Sequence, residues 1–266
     1  MKLIIEPRAL LLLTKVSNFL TEQGIKSYLV GGLVRDMLLG RNTADIDIAV
    51  AADALEVAPK VATALNGKYI LLDEVNRVGR IVLGNEGLTS TRGQWELDLS
   101  TLRSSIEQDL AQRDFTIDAM AIDLEKIIYQ PPLIRPPMLI DPFDGWNDLH
   151  QGVIRSVTST AFESDAVRLL KAVRLAAELG FSIDKETEAL IRHNCHLIAS
   201  VAGERVREEL LRLLAISQAG QFLTYLDDLR LLTAMIPELE QAKGVKQPKE
   251  HFWDVFDHSI KTVVAV

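Results

Sequence analysis

The stretch YLVGGLVRDMLLGRNTADIDIAV, residues 28–50, decides how the first half of this chain folds. Tyr28-Leu29-Val30 reads as a strand, Gly31-Gly32 as a tight turn, and Leu33 onward as a short helix closed by Gly40. "ADIDIAV" alternates polar and apolar residues and so reads as a second strand with two faces. Strand side chains alternate, which puts Asp45 and Asp47 on one face about 7 Å apart, with Ile46 and Ile48 turned the other way. Two carboxylates that close repel, and burial favours neither as an anion. A hard divalent cation such as Mg²⁺ resolves the conflict, taking one or two carboxylates together with phosphate and water oxygens. Two such ions side by side suit phosphoryl or nucleotidyl transfer. Gly31 and Gly32 stand where backbone N–H groups at a helix N-terminus can approach an anion, so a triphosphate would lie beside the cation. Taken singly, each feature has a plainer reading: a solvated polar strand and an ordinary turn.

Working outward, "EPRALLLLTKVSNFLTEQG" has Pro7 at a helix start and Gly24 past its end. "ALEVAPKVATALNG" reads as a helix containing Pro59, and "KYILLDE", "RVGRIVL" and "QWELDLST" as three further strands. The texture changes near Pro131, where "QPPLIRPP" predicts a stiff extended loop. Beyond about Val157 strand signals vanish and four segments show helical periodicity, from "DAVRLLKAVRLAAELGF" to "LTYLDDLRLLTAMI". The expected architecture is an α/β head, a mixed sheet with flanking helices, followed by an all-α neck and body. The expected domains are a head over 1–155, a helical neck and body over 156–245, and a further helical segment over 246–266 that breaks off in mid-pattern.

Composition narrows the class. With 48% apolar and 25% charged residues over 266 positions, the chain has material for a sizeable core. Its one cysteine, Cys195, excludes an intrachain disulfide framework and fits a reducing, cytoplasmic setting. No run of about 18 apolar residues is present, so no membrane-spanning helix is expected. A net charge of −8 argues against indiscriminate nucleic-acid binding but leaves room for a local basic groove.

The combination of Gly-Gly, a helix carrying Arg35 and Asp36, then Leu39-Gly40-Arg41 and Asp45-x-Asp47 resembles the head motif of the class II tRNA nucleotidyltransferases and bacterial poly(A) polymerases, within the polymerase-β-like superfamily. The resemblance implies that Asp45 and Asp47 are catalytic and hold Mg²⁺, and that Gly31, Gly32 and Arg35 face the incoming nucleotide. "QRDFTIDAMAID" is similar to the family's R-R-D-F-T-x-N-A-M-A, which implies nucleotide contacts for Arg113 and Asp114. Gln112 stands there for an arginine and Asp118 for an asparagine. "DPFDGWNDL" is similar to the D-P-x-G-G-x-x-D-L that orders the joint between head and neck, with Asp144 in place of its first glycine. Glu96 and Asp98 share a strand face, and either would serve as the family's third carboxylate.

"FESDAVRLLKAVRLAAELGF" resembles the neck helix in which an Asp and an Arg three residues apart pair with the edge of the incoming base. Asp165 and Arg168 match those positions, with Ser164 in place of the family's Glu. Residues i and i+3 are helix neighbours, and bidentate contacts discriminate bases by about 1–3 kcal/mol. Without the family context the pair would be an exposed ion pair. Lys171 is expected at the nucleotide too, ahead of Arg174, which lies opposite Asp165 on the wheel. Arg174 and Arg205, the latter in "GERVREELLRLL", are expected to serve RNA, unless Arg205 merely pairs with Glu209.

In CCA-adding members a flexible loop separates the third sheet strand from R-R-D-F-T, whereas here "ELDLSTLR" runs almost directly into "SSIEQDLAQRDFT". By resemblance a short loop marks enzymes that add CC without the final A. "HFWDVFDHSIKTVVAV" resembles the opening of an HD-type domain, with His258 alone of its expected ligands and His193, His196 and His251 not at a metal. The expected partners are a tRNA 3′ end and CTP or ATP, with no membrane. A poly(A) polymerase and a non-catalytic nucleotide- or RNA-binding module are the alternative readings.

Overall fold

The computed structural model describes residues 6–41, 45–84, 95–129, 138–248 and 252–265. The chain divides into two compact units, Met1–Trp146 and Asn147–Val266.

The first unit runs α1 (Pro7–Glu22), β1 (Ser27–Val30), α2 (Gly32–Leu39), β2 (Asp45–Val50), α3 (Ala54–Ala64), β3 (Gly67–Asp73), β4 (Val78–Leu83), β5 (Trp95–Thr101), α4 (Ile106–Leu110), β6 (Ala121–Asp123), α5 (Leu124–Tyr129) and β7 (Leu139–Ile140). Pro7 occupies the first turn of α1, where its missing N–H costs nothing. Gly40 closes α2 in the left-handed conformation. Pro59 sits inside α3, which nonetheless continues to Ala64.

The seven strands lie in the order β3-β4-β5-β2-β1-β6-β7. The β2–β5 pairing is parallel and the others are antiparallel. One face of the central strands is a continuous apolar layer: Ile46, Ile48, Ile81, Leu97 and Leu99 are all at or below 1% exposure. Helix α3 covers β3 and β4 closely enough that a Cβ at Gly79 would lie 3.0 Å from that of Ala58 and 2.9 Å from Tyr69. Strands β6 and β7 carry no separate expectation from the sequence. They are two to three residues long and held by pairing to β1 and to each other.

The second unit holds β8 (Val153–Ile154), α7 (Ala161–Ser164), α8 (Arg168–Leu179), β9 (Ser182–Ile183), α9 (Lys185–Asn194), α10 (Gly203–Leu214), α11 (Ala219–Asp228), α12 (Leu231–Met235) and α13 (Val255–Ala265); α6 (Gly145–Gln151) crosses the division. Compactness thus separates the units between Trp146 and Asn147, ahead of residue 155, because β8 pairs with β9 and joins residues 153–154 to the helices. That pair also corrects the expectation that strands cease after Val157. The segment 219–235 breaks at Arg230, which has φ +61° and starts α12 after α11. The extended loop expected over 130–137, and His251, lie outside the described residues.

Candidate active site

The site grows from Gly31. This residue caps α2 at φ +70°, a left-handed conformation that a side chain resists. A Cβ there would stand 2.8 Å from Arg113 Nη1 and 3.1 Å from Asp47 Oδ2. The turn after β1, the acidic strand β2 and Arg113, three residues past the end of α4, therefore meet at one point. At Gly32 a Cβ would approach Arg35 Nη2 to 3.3 Å.

Asp47 is half-buried and Asp45 exposed on the face of β2 opposite the apolar layer. Parallel pairing sets Glu96 beside Asp45 and Asp98 beside Asp47, and antiparallel pairing sets Arg80 beside Asp98. Residues directly opposite across strands share a face. Arg80 Nε and Nη2 donate to Asp98 Oδ1 and Oδ2 at 2.7 and 2.8 Å, and Nη1 forms an ion pair with Glu96. The hydrogen bond to Asp98 raises the pKa of Arg80 above its ordinary value, and the charges of Asp98, Glu96 and Asp45 add to that against the opposing effect of burial. The donors are all hard oxygens. Among the described residues no group of three or more His, Cys, Asp or Glu side chains is arranged to hold a metal ion. Asp45 and Asp47 are a set suited to a cation that draws its remaining oxygens from substrate and water.

Arg113 donates from Nε and Nη2 to Asp109 Oδ2 at 3.3 and 3.1 Å, which leaves Nη1 towards Gly31. It also lines a polar cleft of about 210 Å³ with Asn76, Ser100, Arg103, Asp109 and Gln112. Asp114 is buried and accepts from the Phe115 N–H at 2.9 Å, so it shapes the turn after Arg113. Arg35, expected at the nucleotide, is 11% exposed and donates to Asp36 at 2.9 Å and to Asp118 at 2.7 Å. It ties α2 to the turn 116–118, with its guanidinium beside the glycine turn at Gly32. Asp118, where the family has asparagine, provides that arginine with a charged partner. The same turn is clamped from its other side: a Cβ at Gly145 would fall 2.1 Å from the Thr116 carbonyl oxygen. Asp141 accepts from the N–H groups of Gly145 and Trp146 at 2.8 and 2.9 Å, and Asp144 takes φ +59°.

In the helical unit Asp165 and Arg168, expected as neighbours on one helix facing a base edge, stand on either side of the start of α8. Asp165 lies in the break between α7 and α8 at φ −156°, ψ 102°. Both its oxygens accept from Arg205, at 3.0 and 2.8 Å, and this hydrogen bonding raises the pKa of Arg205. Arg168, the first residue of α8, donates to the Ala161 carbonyl at 3.2 Å and to Ser164 Oγ at 3.1 Å. Lys171 is half-exposed one turn further on. Arg174 corrects the expectation of an RNA contact. It is 6% exposed, with Nε on Glu209 at 2.5 Å and Nη1 on Glu178 at 2.7 Å, so its charge is spent inside the unit joining α8 to α10. The alternative partner for Arg205, Glu209, is the one Arg174 takes.

Arg80 and Asp109 are the site residues that sequence reasoning passed over. Alternation in "VGRIVL" puts Arg80 on the polar face, but only the register makes it the neighbour of Asp98.

Comparison with known proteins identifies the family. The family model described as "Poly A polymerase head domain" matches residues 27–155, and that described as "Probable RNA and SrmB- binding site of polymerase A" matches residues 180–243. The chain is 38% identical over 205 residues to a CC-adding tRNA nucleotidyltransferase of Geobacter sulfurreducens, covering 77% of this chain and 44% of that one. It is 38% identical over 197 residues to another CC-adding tRNA nucleotidyltransferase, from Halalkalibacterium halodurans, covering 73% and 46%. The solved structure of the Thermotoga maritima CCA-adding enzyme complexed with tRNA CCA superposes with a TM-score of 0.75 at 32% identity, covering 92% of this chain and 55% of that one. The chain spans about half the length of the curated relatives it matches. Its glycine turn, its paired aspartates and its helical continuation place it in one lineage: the chain belongs to the family of class II tRNA nucleotidyltransferases and bacterial poly(A) polymerases.

Proposed function

We propose that this protein transfers nucleotides to the 3′ end of tRNA, taking CMP from CTP and stopping after CC. The observation that carries the reading is the meeting of Gly31, Asp47 and Arg113 at a single point, with Asp45 on the same strand face. The lean towards CC rests on the connection between β5 and α4, which is only residues 102–105.

Asp45 and Asp47 would hold Mg²⁺. When bound, the cation lowers the pKa of the attacking 3′-hydroxyl and neutralises charge on the triphosphate. The backbone N–H groups after Gly31, at the positive end of α2, receive phosphate oxygens at close range because no side chain intervenes. The guanidinium of Arg113, braced by Asp109, faces the same place and stabilises the negative charge that builds on the departing pyrophosphate. The 3′-oxygen forms a bond to the α-phosphorus while the α–β bridging bond breaks, and no covalent enzyme intermediate is required. Asp165 and Arg168 present an acceptor and donors to the base edge, held by Arg205 and Ser164 respectively.

Labelled CTP and ATP, offered with Mg²⁺ to tRNA ending before or within its CCA, test the reading. Two C additions and no A are expected, and Asp45→Ala abolishes incorporation. Efficient A addition after CC overturns the CC assignment. Long A tracts on unrelated RNA 3′ ends point to a poly(A) polymerase, and nucleotide binding without incorporation to a binding module.

A further inference from the structure

Strand β3 ends the sheet on one side, and among the described residues it pairs with β4 alone. An outer edge of this kind presents a row of backbone N–H and C=O groups to any strand that can approach. Its side chains favour such an approach. Ile70, Leu71 and Leu72 are 38%, 49% and 44% exposed, and Val75, just past the strand, is 81% exposed. Strand side chains alternate, so three apolar residues in a row put apolar surface on both faces of the edge.

The ends of β3 indicate which strand fits. Lys68 is exposed at its start, and Asp73 and Glu74 stand at its finish. Asp73 is engaged by Asn76, whose backbone N–H and side-chain amide donate to it at 2.9 and 2.7 Å. Glu74 is exposed and is the acid open to a partner. A strand with a base at one end and an acid at the other complements itself when two copies run antiparallel: each Lys68 meets the acidic end of the other copy, and the apolar residues meet between them. A parallel arrangement would set like charges side by side. The contact uses the same patch on both copies, so it closes at two. The bulge between Leu71 and Asp73 adds local twist and keeps the ladder short.

We propose that β3 is a self-association surface: two copies of this chain pair their β3 strands antiparallel and so join their seven-stranded sheets. The inference stands apart from the nucleotide site. A short strand pair buries less than the roughly 1,600 Å² of a standard stable interface, so the dimer is a weak one, with a Kd of about 1–100 µM.

Sedimentation velocity of the full chain, run from about 1 µM to about 300 µM, tests this. The expected result is a shift from monomer to dimer that goes no further. A chain that stays monomeric throughout, or that grows past the dimer, overturns the proposal. Ile70→Lys combined with Leu72→Lys changes exposed positions only, keeps the circular dichroism of the parent and abolishes the dimer. Lys68→Glu weakens association at least fivefold, and so does Glu74→Lys. The two changes in one chain restore it to within about twofold, because the charges are exchanged rather than lost. A dimer that survives the double lysine variant, or a charge exchange that fails to recover association, places the contact elsewhere and overturns the assignment to β3.

Discussion

Gly31 concentrates the largest number of demands on a single residue. Its φ of +70° disfavours any side chain by about 1–2 kcal/mol, and a methyl group would press on Arg113 and Asp47 together. Gly31→Ala is therefore expected to lower the melting temperature by about 2–8 °C and to cost about 100-fold in kcat/KM for CTP, since small displacements of reacting groups are that expensive. Steady-state incorporation and thermal unfolding, measured side by side, check both halves. Arg174 makes the opposite case. With its guanidinium buried between Glu178 and Glu209, Arg174→Ala removes the cation that the largely buried Glu209 carboxylate bonds. We expect about 3–5 kcal/mol of lost stability in urea titration. An undiminished midpoint accompanied by loss of tRNA affinity would restore the RNA role that its sequence position suggested.

At the scale of elements, the segments with a strong single period were legible from the sequence. Helix α1 with Pro7 at its start, α2 with Gly40 at its end, and the alternating β2 all lie where the pattern puts them. The elements that escaped are short. Strands β6 to β9 have two or three residues each, too few to show a period, and exist because a neighbouring strand offers its ladder. The site was legible in the same measure. Residues within one motif could be read, while partners brought in by register or by another helix could not: Arg80 with Asp98, Arg35 with Asp118, Arg205 with Asp165. At Asp165 the spacing showed less than the structure: the residue ends α7, and its carbonyl accepts the Arg168 N–H at 3.2 Å in the turn that leads into α8. The link between α10 and that break carries its own prediction. The pair is well exposed, so Arg205→Ala costs less than about 1 kcal/mol of stability. By freeing Asp165 it lowers discrimination between CTP and UTP about tenfold. Competition assays read this directly, and an undisturbed preference for CTP argues that Asp165 does not meet the base.

For the molecule as a whole, charge is the informative quantity. On the proposed function, a chain with net charge −8 would have to meet a polyanion. Where the acidic surface is extensive, affinity has to come from a small basic contact area together with specific recognition of the end. Binding of tRNA between 50 and 200 mM salt is then expected to fall with a log–log slope no steeper than about −3, equivalent to roughly four phosphates. A much steeper slope would show a basic track along the RNA that the charge balance does not suggest. No helix among the described residues is long and apolar enough to cross a membrane.

The place of β5 in the sheet has a consequence in time. It lies between β4 and β2, yet it follows β2 in the chain by some way, with α3, β3 and β4 made in between. Pairing β2 with β5 closes a long loop, whose entropic cost falls before any reward from contact. Until β5 slots in, one edge of β2 is open and the face that carries Asp45 and Asp47 lacks a neighbouring strand. On the proposed function, a nascent chain would therefore have no nucleotide chemistry to offer until the sheet is completed, and the aspartates that come early in the sequence would become competent late in folding.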